Sequence, residues 1–132
     1  MAEAGSSRRL HFVQFPPFLR DWKRLGLDDA ALHALERELI DAPERGPVIE
    51  GTSGLRKLRF SPPGSGRGKS GSYRVCYAHF PAYGTIALFV AFGKNERSGL
   101  SAAEARATAA ALRSFEAELR RQIERSTGRR GG

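Results

Sequence analysis

Cysteine and histidine are scarce in this sequence, with one cysteine, Cys76, and three histidines among 132 residues. A single cysteine excludes an intramolecular disulfide and a cysteine-based zinc site. His11, His33 and His79 lie far apart and lack the HxxxH or HExxH spacing of metal-binding helices. The sequence therefore predicts no metal and no cofactor, and it suits a reducing, cytoplasmic environment.

Long hydrophobic runs are also missing. The apolar stretch near the N terminus extends from Leu10 to Leu19 and is interrupted by Gln14, Pro16 and Pro17. It is too short to span a bilayer, and it lacks a signal-peptide cleavage pattern. We therefore expect neither a membrane partner nor export.

Acidic residues are outnumbered, because 14 Asp and Glu stand against 22 Lys and Arg, giving a net charge of +8. Such an excess attracts polyanionic partners over long range, so nucleic acid or an acidic protein is the first expectation. With 40% hydrophobic residues, a chain of this length is typical of one globular domain. We place that domain at residues 10–125, between a disordered arm at 1–9 and a disordered tail at 126–132.

Hydrophobic spacing predicts an α+β fold with one strand, two helices, a three-strand antiparallel meander and a C-terminal helix. Ser101 and Glu104 fit a capping box at the start of that last helix. Prolines and glycines separate the elements. The predicted strands are 10–15, 55–60, 73–80 and 85–92, and the first two helices are 16–26 and 28–42.

A basic segment without any acidic residue extends from Gly54 to Arg74. Alternation along a strand places Lys57 and Arg59 on the same face, and the adjoining strand can bring Arg74 beside them. The three cations would then converge on a phosphate backbone. The alternative is a solvated basic rim without a partner.

The loop after the second strand contains GSGRGKSG, whose Gly68, Lys69 and Ser70 match the end of a phosphate-binding loop. The full motif fails because Pro63 occupies the position of its first glycine, and because the loop joins two strands. A flexible loop that follows a phosphodiester backbone through Arg67 and Lys69 is the better interpretation. A disordered hairpin tip is the alternative.

A second polar cluster, GKNERS, follows the last strand directly. Lys94 is a cation, Asn95 donates and accepts hydrogen bonds, and Glu96 is a carboxylate that serves either as a base or in a salt bridge. Loops at strand ends often hold functional residues. The alternative is a polar connector to the helix cap at Ser101.

Taken in order, GTSGLRKLRF, a Gly-rich basic loop, SYRVCY and ALFVAFGKNERSGLS resemble the RelE/ParE toxin superfamily, with the HigB-type branch as the closest likeness. The resemblance extends from about Leu10 to Leu119. GLRKLR and GKNE are weak signals separately, but their joint occurrence in this order is specific.

The resemblance implies a bacterial type II toxin that enters the ribosomal A site, cuts mRNA and is held inactive by a cognate, HigA-like antitoxin. Two departures leave the general base open between Lys57, Lys94 and Glu96: Asn95 stands where RelE has an arginine, and Ser101 lies near the place of its tyrosine. By position, the implied catalytic residues are Lys57, Arg59, Arg74, Lys94 and Glu96, and the candidate RNA-binding residues are Arg56, Arg67, Lys69 and Asn95.

Cleavage of RNA by its own 2′-hydroxyl requires proton removal, neutralisation of the phosphorane and protonation of the leaving oxygen. Arginine and lysine are suited to the second task, and no metal is required. Two other functions stay open. A ParE-like gyrase poison has the same fold and does not need converging cations, and a non-catalytic basic module would only bind nucleic acid.

Overall fold

A computed structural model of the chain describes residues 9–64 and 72–131 and has the α+β fold that the sequence predicts. A short 3₁₀ turn at Pro81–Tyr83 joins the third and fourth strands. The elements in chain order are β1 His11–Gln14, α1 Pro16–Arg24, α2 Asp29–Asp41, β2 Arg56–Phe60, β3 Tyr73–Phe80, β4 Thr85–Gly93 and α3 Ala102–Gly131.

The four strands form one sheet in the order β1-β4-β3-β2. The strands β2, β3 and β4 make the predicted antiparallel meander. The first strand lies at the other edge, parallel to β4, with Val13 opposite Ala87. Parallel neighbours need a long connection between them, and the two helices and the meander supply it.

Both faces of the sheet are covered. The helices α1 and α2 pack on one side, which we call the helix-pair face, and α3 packs on the other, which we call the α3 face. Alternation along each strand divides the apolar side chains between these two cores. Residues of the first core include Phe18, Trp22, Leu35, Leu39, Leu58, Val75, Tyr77 and Leu88, and those of the second include Ala78, Phe80, Phe89 and Leu112.

A bulge interrupts the alternation of β4, because Cys76 pairs with Val90 whereas the next residue, Tyr77, pairs with Leu88. The unpaired Phe89 shifts the remainder of the strand by one position. Ala91, rather than Val90, therefore lies in the core beneath the helix pair.

The last helix begins with the predicted capping box. The Ser101 Oγ accepts the Glu104 N–H at 3.1 Å, and the Glu104 carboxylate accepts the Ser101 N–H at 2.9 Å. The helix continues to Gly131, past residue 125, where we expected a disordered tail to begin. No proline follows Ser126, and extending an existing helix adds one hydrogen bond per ordered residue, so the helix continues.

The expected arm at residues 1–9 lies outside the described residues except for Arg9. None of the helices in the described part of the chain is both long enough and apolar enough to cross a membrane.

Candidate nucleic-acid interface

Two arginines lie side by side on the α3 face of the sheet. Because Leu58 and Phe60 are buried beneath the helix pair, alternation turns Lys57 and Arg59 to the opposite face of β2. Arg59 is the direct cross-strand partner of Arg74 on β3. The structure thus brings together the three cations that the sequence predicted to converge.

The row that contains these arginines continues across the sheet, because Arg74 is in turn the partner of Phe92 on β4. The Arg97 guanidinium lies over the Phe92 ring, 4.6 Å from its centroid. At the other end of β3, Phe80 packs edge to face on Phe115 of α3, with ring centroids 5.5 Å apart. Arg59 is exposed to solvent.

The third cation, Lys57, is half-buried next to this row. Its Nζ donates to the Ser98 carbonyl at 3.0 Å, which fastens the segment after β4 to β2. Burial raises the pKa of the neighbouring Cys76 thiol to about 12, although the positive charges of Lys57 and Arg97 act in the opposite direction.

An open cleft of about 690 Å³ lies along β2 and includes all three predicted cations. Its lining has four basic side chains and a single acidic one, Glu38, which forms an ion pair with Arg45 at 3.2 Å. A cleft with this charge balance favours an anionic ligand. The lining residues are Glu38, Arg45, Gly46, Pro47, Lys57, Leu58, Arg59, Ser61 and Arg74.

Arg56, a candidate RNA-binding residue, lies on the other face of β2. Its guanidinium donates to the carbonyls of Glu44 at 3.1 Å and Gly46 at 2.8 Å. The Glu44 carboxylate also lies 3.0 Å from His79 Nδ1. Arg56 therefore fastens the connector between α2 and β2, and the structure does not bring it together with Lys57 and Arg59.

The predicted cluster after β4 divides between the two faces. Lys94 and Asn95 are exposed at the tip of a turn. The exposed Glu96 side chain turns back toward the end of β4 on the helix-pair side, since a Cβ placed on Gly93 would lie 3.6 Å from its Cγ, and Gly93 follows Ala91 on that face. Its carboxylate contacts Arg24 of α1, whereas Arg59 and Arg74 lie on the α3 face.

The Glu96 carboxylate is already engaged on that side. It forms an ion pair with Arg24 of α1 and accepts the Gly93 N–H at 2.9 Å. The hydrogen bond from Arg24, followed by that from the Gly93 N–H, lowers the pKa of Glu96. A carboxylate with a lowered pKa is a weaker base, so this environment disfavours Glu96 for proton removal.

Two contributors to the site were missed from the sequence. Arg97 lies inside the GKNERS cluster and contacts both carboxylate oxygens of Glu104, at 2.7 and 2.8 Å. The seven-residue spacing of these two opposite charges was the signal in the sequence that could have predicted the contact. Arg24 belongs to no motif, and only the tertiary fold brings it to Glu96. The candidates Arg67 and Lys69 lie outside the described residues.

Within residues 9–64 and 72–131, no three His, Cys, Asp or Glu side chains gather in a group that would hold a metal ion. The chemistry available in the described cleft is that of guanidinium and ammonium groups, which bind and neutralise phosphate.

No protein-family model matches the sequence. Among solved structures, the chain is similar to the E. coli toxin RelE, determined as a double mutant in the free state. The TM-score is 0.48 and the sequence identity 14%, over 79% of this chain and 97% of that chain. A likeness at this level assigns no role to individual residues.

Proposed function

We propose that this chain is the toxin of a type II toxin–antitoxin system, a metal-independent endoribonuclease that cuts translated mRNA on the ribosome and inhibits translation. The observation that carries the proposal is the Arg59–Arg74 pair, with Lys57 beside it, in an open basic cleft. The GLRKLR and GKNE motifs, which resemble the HigB-type toxins, give this cleft its chemical interpretation.

The arginine pair suits the phosphate that is being cleaved. A guanidinium donates two parallel hydrogen bonds to phosphate oxygens, and two adjacent guanidinium groups can hold one phosphate from two directions. When the 2′-hydroxyl attacks, negative charge grows on those oxygens, and donors already in place stabilise it without reorganisation. Removal of one such donor typically lowers the rate by about 10²-fold or more.

Of the three candidate bases, Lys57 lines the cleft together with Arg59 and Arg74, two residues from Arg59 on the same face of β2. Its bond to the Ser98 carbonyl fixes the direction of the ammonium group. We assign to Lys57 the protonation of the leaving 5′-oxygen by its ammonium group, while the proton of the attacking 2′-hydroxyl passes to solvent water. Lys94 and Asn95, at the exposed turn, are assigned to contacts with the RNA backbone.

The same positive charge defines the inhibitor. A chain with a net charge of +8 attracts an acidic segment, and an antitoxin that covers the cleft would exclude RNA. We propose a HigA-like antitoxin in this role. Co-expression of the small protein encoded directly upstream or downstream of this chain should abolish the growth arrest that the chain causes. Unchanged toxicity would contradict this assignment.

The test is to induce the chain alone in a bacterial host and to map mRNA 5′ ends on translated and untranslated copies of one transcript. New ends inside translated frames are expected, and they should disappear in Arg74→Ala and Lys57→Ala. The matched control is Arg120→Ala, which removes an exposed arginine of α3.

Three other outcomes would contradict parts of the proposal. Cuts on untranslated copies would remove the requirement for the ribosome. Growth arrest without cuts would indicate a ParE-like gyrase poison. Binding of RNA without cuts or arrest would indicate the non-catalytic module, which the separation of Glu96 from the arginine pair favours as the second candidate.

A further inference from the structure

The turn after β4 is closed twice by a single residue, Glu96. Its backbone N–H donates to the Gly93 carbonyl at 2.9 Å, and its carboxylate accepts the Gly93 N–H, also at 2.9 Å. Lys94 and Asn95 are the two central residues of this turn and point into solvent. The position of these two side chains therefore depends on where Glu96 is held.

The helix α1 holds the Glu96 side chain in this position. Arg24, in the last turn of that helix, donates from Nη1 to the Glu96 carboxylate and from Nη2 to Asp21 at 3.3 Å. Asp21 in turn accepts the Ala91 N–H of β4 at 3.0 Å. Two residues one helical turn apart thus fasten α1 both to the strand and to the turn that follows it.

We propose that Arg24 is a positioning residue for the RNA-contacting turn: by holding Glu96 it fixes the place at which Lys94 and Asn95 meet the RNA backbone. This inference rests on the proposed function, because that function assigns Lys94 and Asn95 to RNA. It also gives Glu96 a role in the turn rather than in proton transfer.

The remainder of the segment is held independently. Ser98 is fastened by Lys57 of β2, and Arg97 by Glu104 of α3. Loss of Arg24 should therefore release the turn at residues 93–96 without detaching the residues that follow. Since Arg24 and Glu96 are both exposed, their ion pair contributes little to the stability of the fold. A loss of function without a loss of stability is the expected signature.

Protonation of Glu96 gives a second signature. The charged groups around its carboxylate are Arg24 and Asp21 from α1 and Arg97 from its own segment. Because Arg24 lowers the pKa of Glu96, the Arg24–Glu96 ion pair is present above that lowered pKa and is lost as the pH falls through it. Removal of Arg24 abolishes this ion pair at every pH, so the acid-dependent loss expected for wild type should be absent from Arg24→Ala.

The experiment compares wild type with Arg24→Ala, Arg24→Lys and the charge swap Arg24→Glu with Glu96→Arg, all in the full chain. Arg20→Ala, an exposed arginine one turn earlier on α1, is the matched control. Cleavage of mRNA on ribosomes should fall about 10- to 100-fold in Arg24→Ala, as misplaced contacts do, with an unchanged melting temperature. Arg24→Lys and the charge swap should recover part of that loss, and Arg20→Ala should cleave as wild type does.

Two further readouts do not require cleavage. Hydrogen exchange of the Gly93 amide should accelerate in Arg24→Ala, and the affinity for a non-cleavable 2′-deoxy oligonucleotide should fall several-fold. If wild type cuts RNA and Arg24→Ala cuts it equally well, the inference fails while the proposed function stands. If wild type makes no cuts, the proposed function fails, and unchanged exchange and affinity in Arg24→Ala would overturn the inference as well.

Discussion

Arg59 and Arg74 are direct cross-strand partners, so two positive charges lie opposite each other on the α3 face of the sheet. Like charges in directly opposed positions destabilise a β-sheet. An anionic group bound between the two guanidinium groups would offset the repulsion between them.

Replacement of Arg59 by alanine should therefore separate stability from function. Because the repulsion is removed, we expect the free energy of unfolding to rise by roughly 0.2–1 kcal/mol, while cleavage falls about 10²-fold. Urea unfolding and the rate of mRNA cleavage measure the two effects. Arg59→Lys, which keeps the charge and loses the paired donors, should restore little of the activity. A variant that is both less stable and fully active would contradict this account.

Gly46 is the residue whose substitution should most directly disturb β2. A Cβ at this position would lie 2.8 Å from the Lys57 carbonyl oxygen, and that oxygen belongs to the strand backbone and cannot swing aside. We expect Gly46→Ala to lower the free energy of unfolding by about 1–3 kcal/mol, as over-packed substitutions do, and to shift Lys57. Urea unfolding provides the measurement.

Gly99→Ala is the matched control for that change. Its Cβ would contact only the flexible end of the Lys57 side chain, at 3.7 Å, so the free energy of unfolding should be nearly unchanged. Equal losses of stability in the two variants would show that the clash at Gly46 is not the cause.

The features that could be predicted from the sequence are those that repeat along the chain. Helical spacing of Phe18 and Trp22 predicts the buried face of α1, and both residues are in the core. Alternation in β2 predicts that Lys57 and Arg59 share a face, because the period of a strand is two. These local patterns are sufficient for the element order and for the cationic half of the site.

The features that could not be predicted depend on contacts between distant residues. Nothing in TIALFVAF reveals that the bulge at Phe89 shifts Ala91 into the core in place of Val90. The role of Glu96 depends on Arg24, 72 residues earlier, which only the packing of α1 brings near. A polar motif therefore indicates where chemistry can occur, but the tertiary partner of each residue decides which role it has.

The start of α3 should respond to acid. The hydrogen bond from Arg97, followed by that from the Ser101 N–H, lowers the pKa of the Glu104 carboxylate. A lowered pKa stabilises the fold above the ordinary pKa of glutamate, and this contribution is lost as the pH falls through the lowered value. Melting temperatures between pH 7 and pH 2 should show a smaller acid-induced decrease for Arg97→Ala than for wild type. An identical pH dependence in both would show that this pair does not contribute.

Cys76 provides a probe of how often the sheet opens at the site. Its side chain is fully buried, and burial raises the pKa of the thiol to about 12. At pH 8 only about one thiol in 10⁴ would be ionised, and the thiolate is the form that reacts with alkylating reagents. We therefore expect the folded protein to resist iodoacetamide for hours, whereas the protein in urea reacts at the rate of a free thiol.

Because Arg74 lies two residues away on the same face of β3, RNA bound at the arginine pair should slow the labelling further. Labelling of the folded protein at the free-thiol rate, with or without RNA, would mean that this part of β3 is not closed beneath α3.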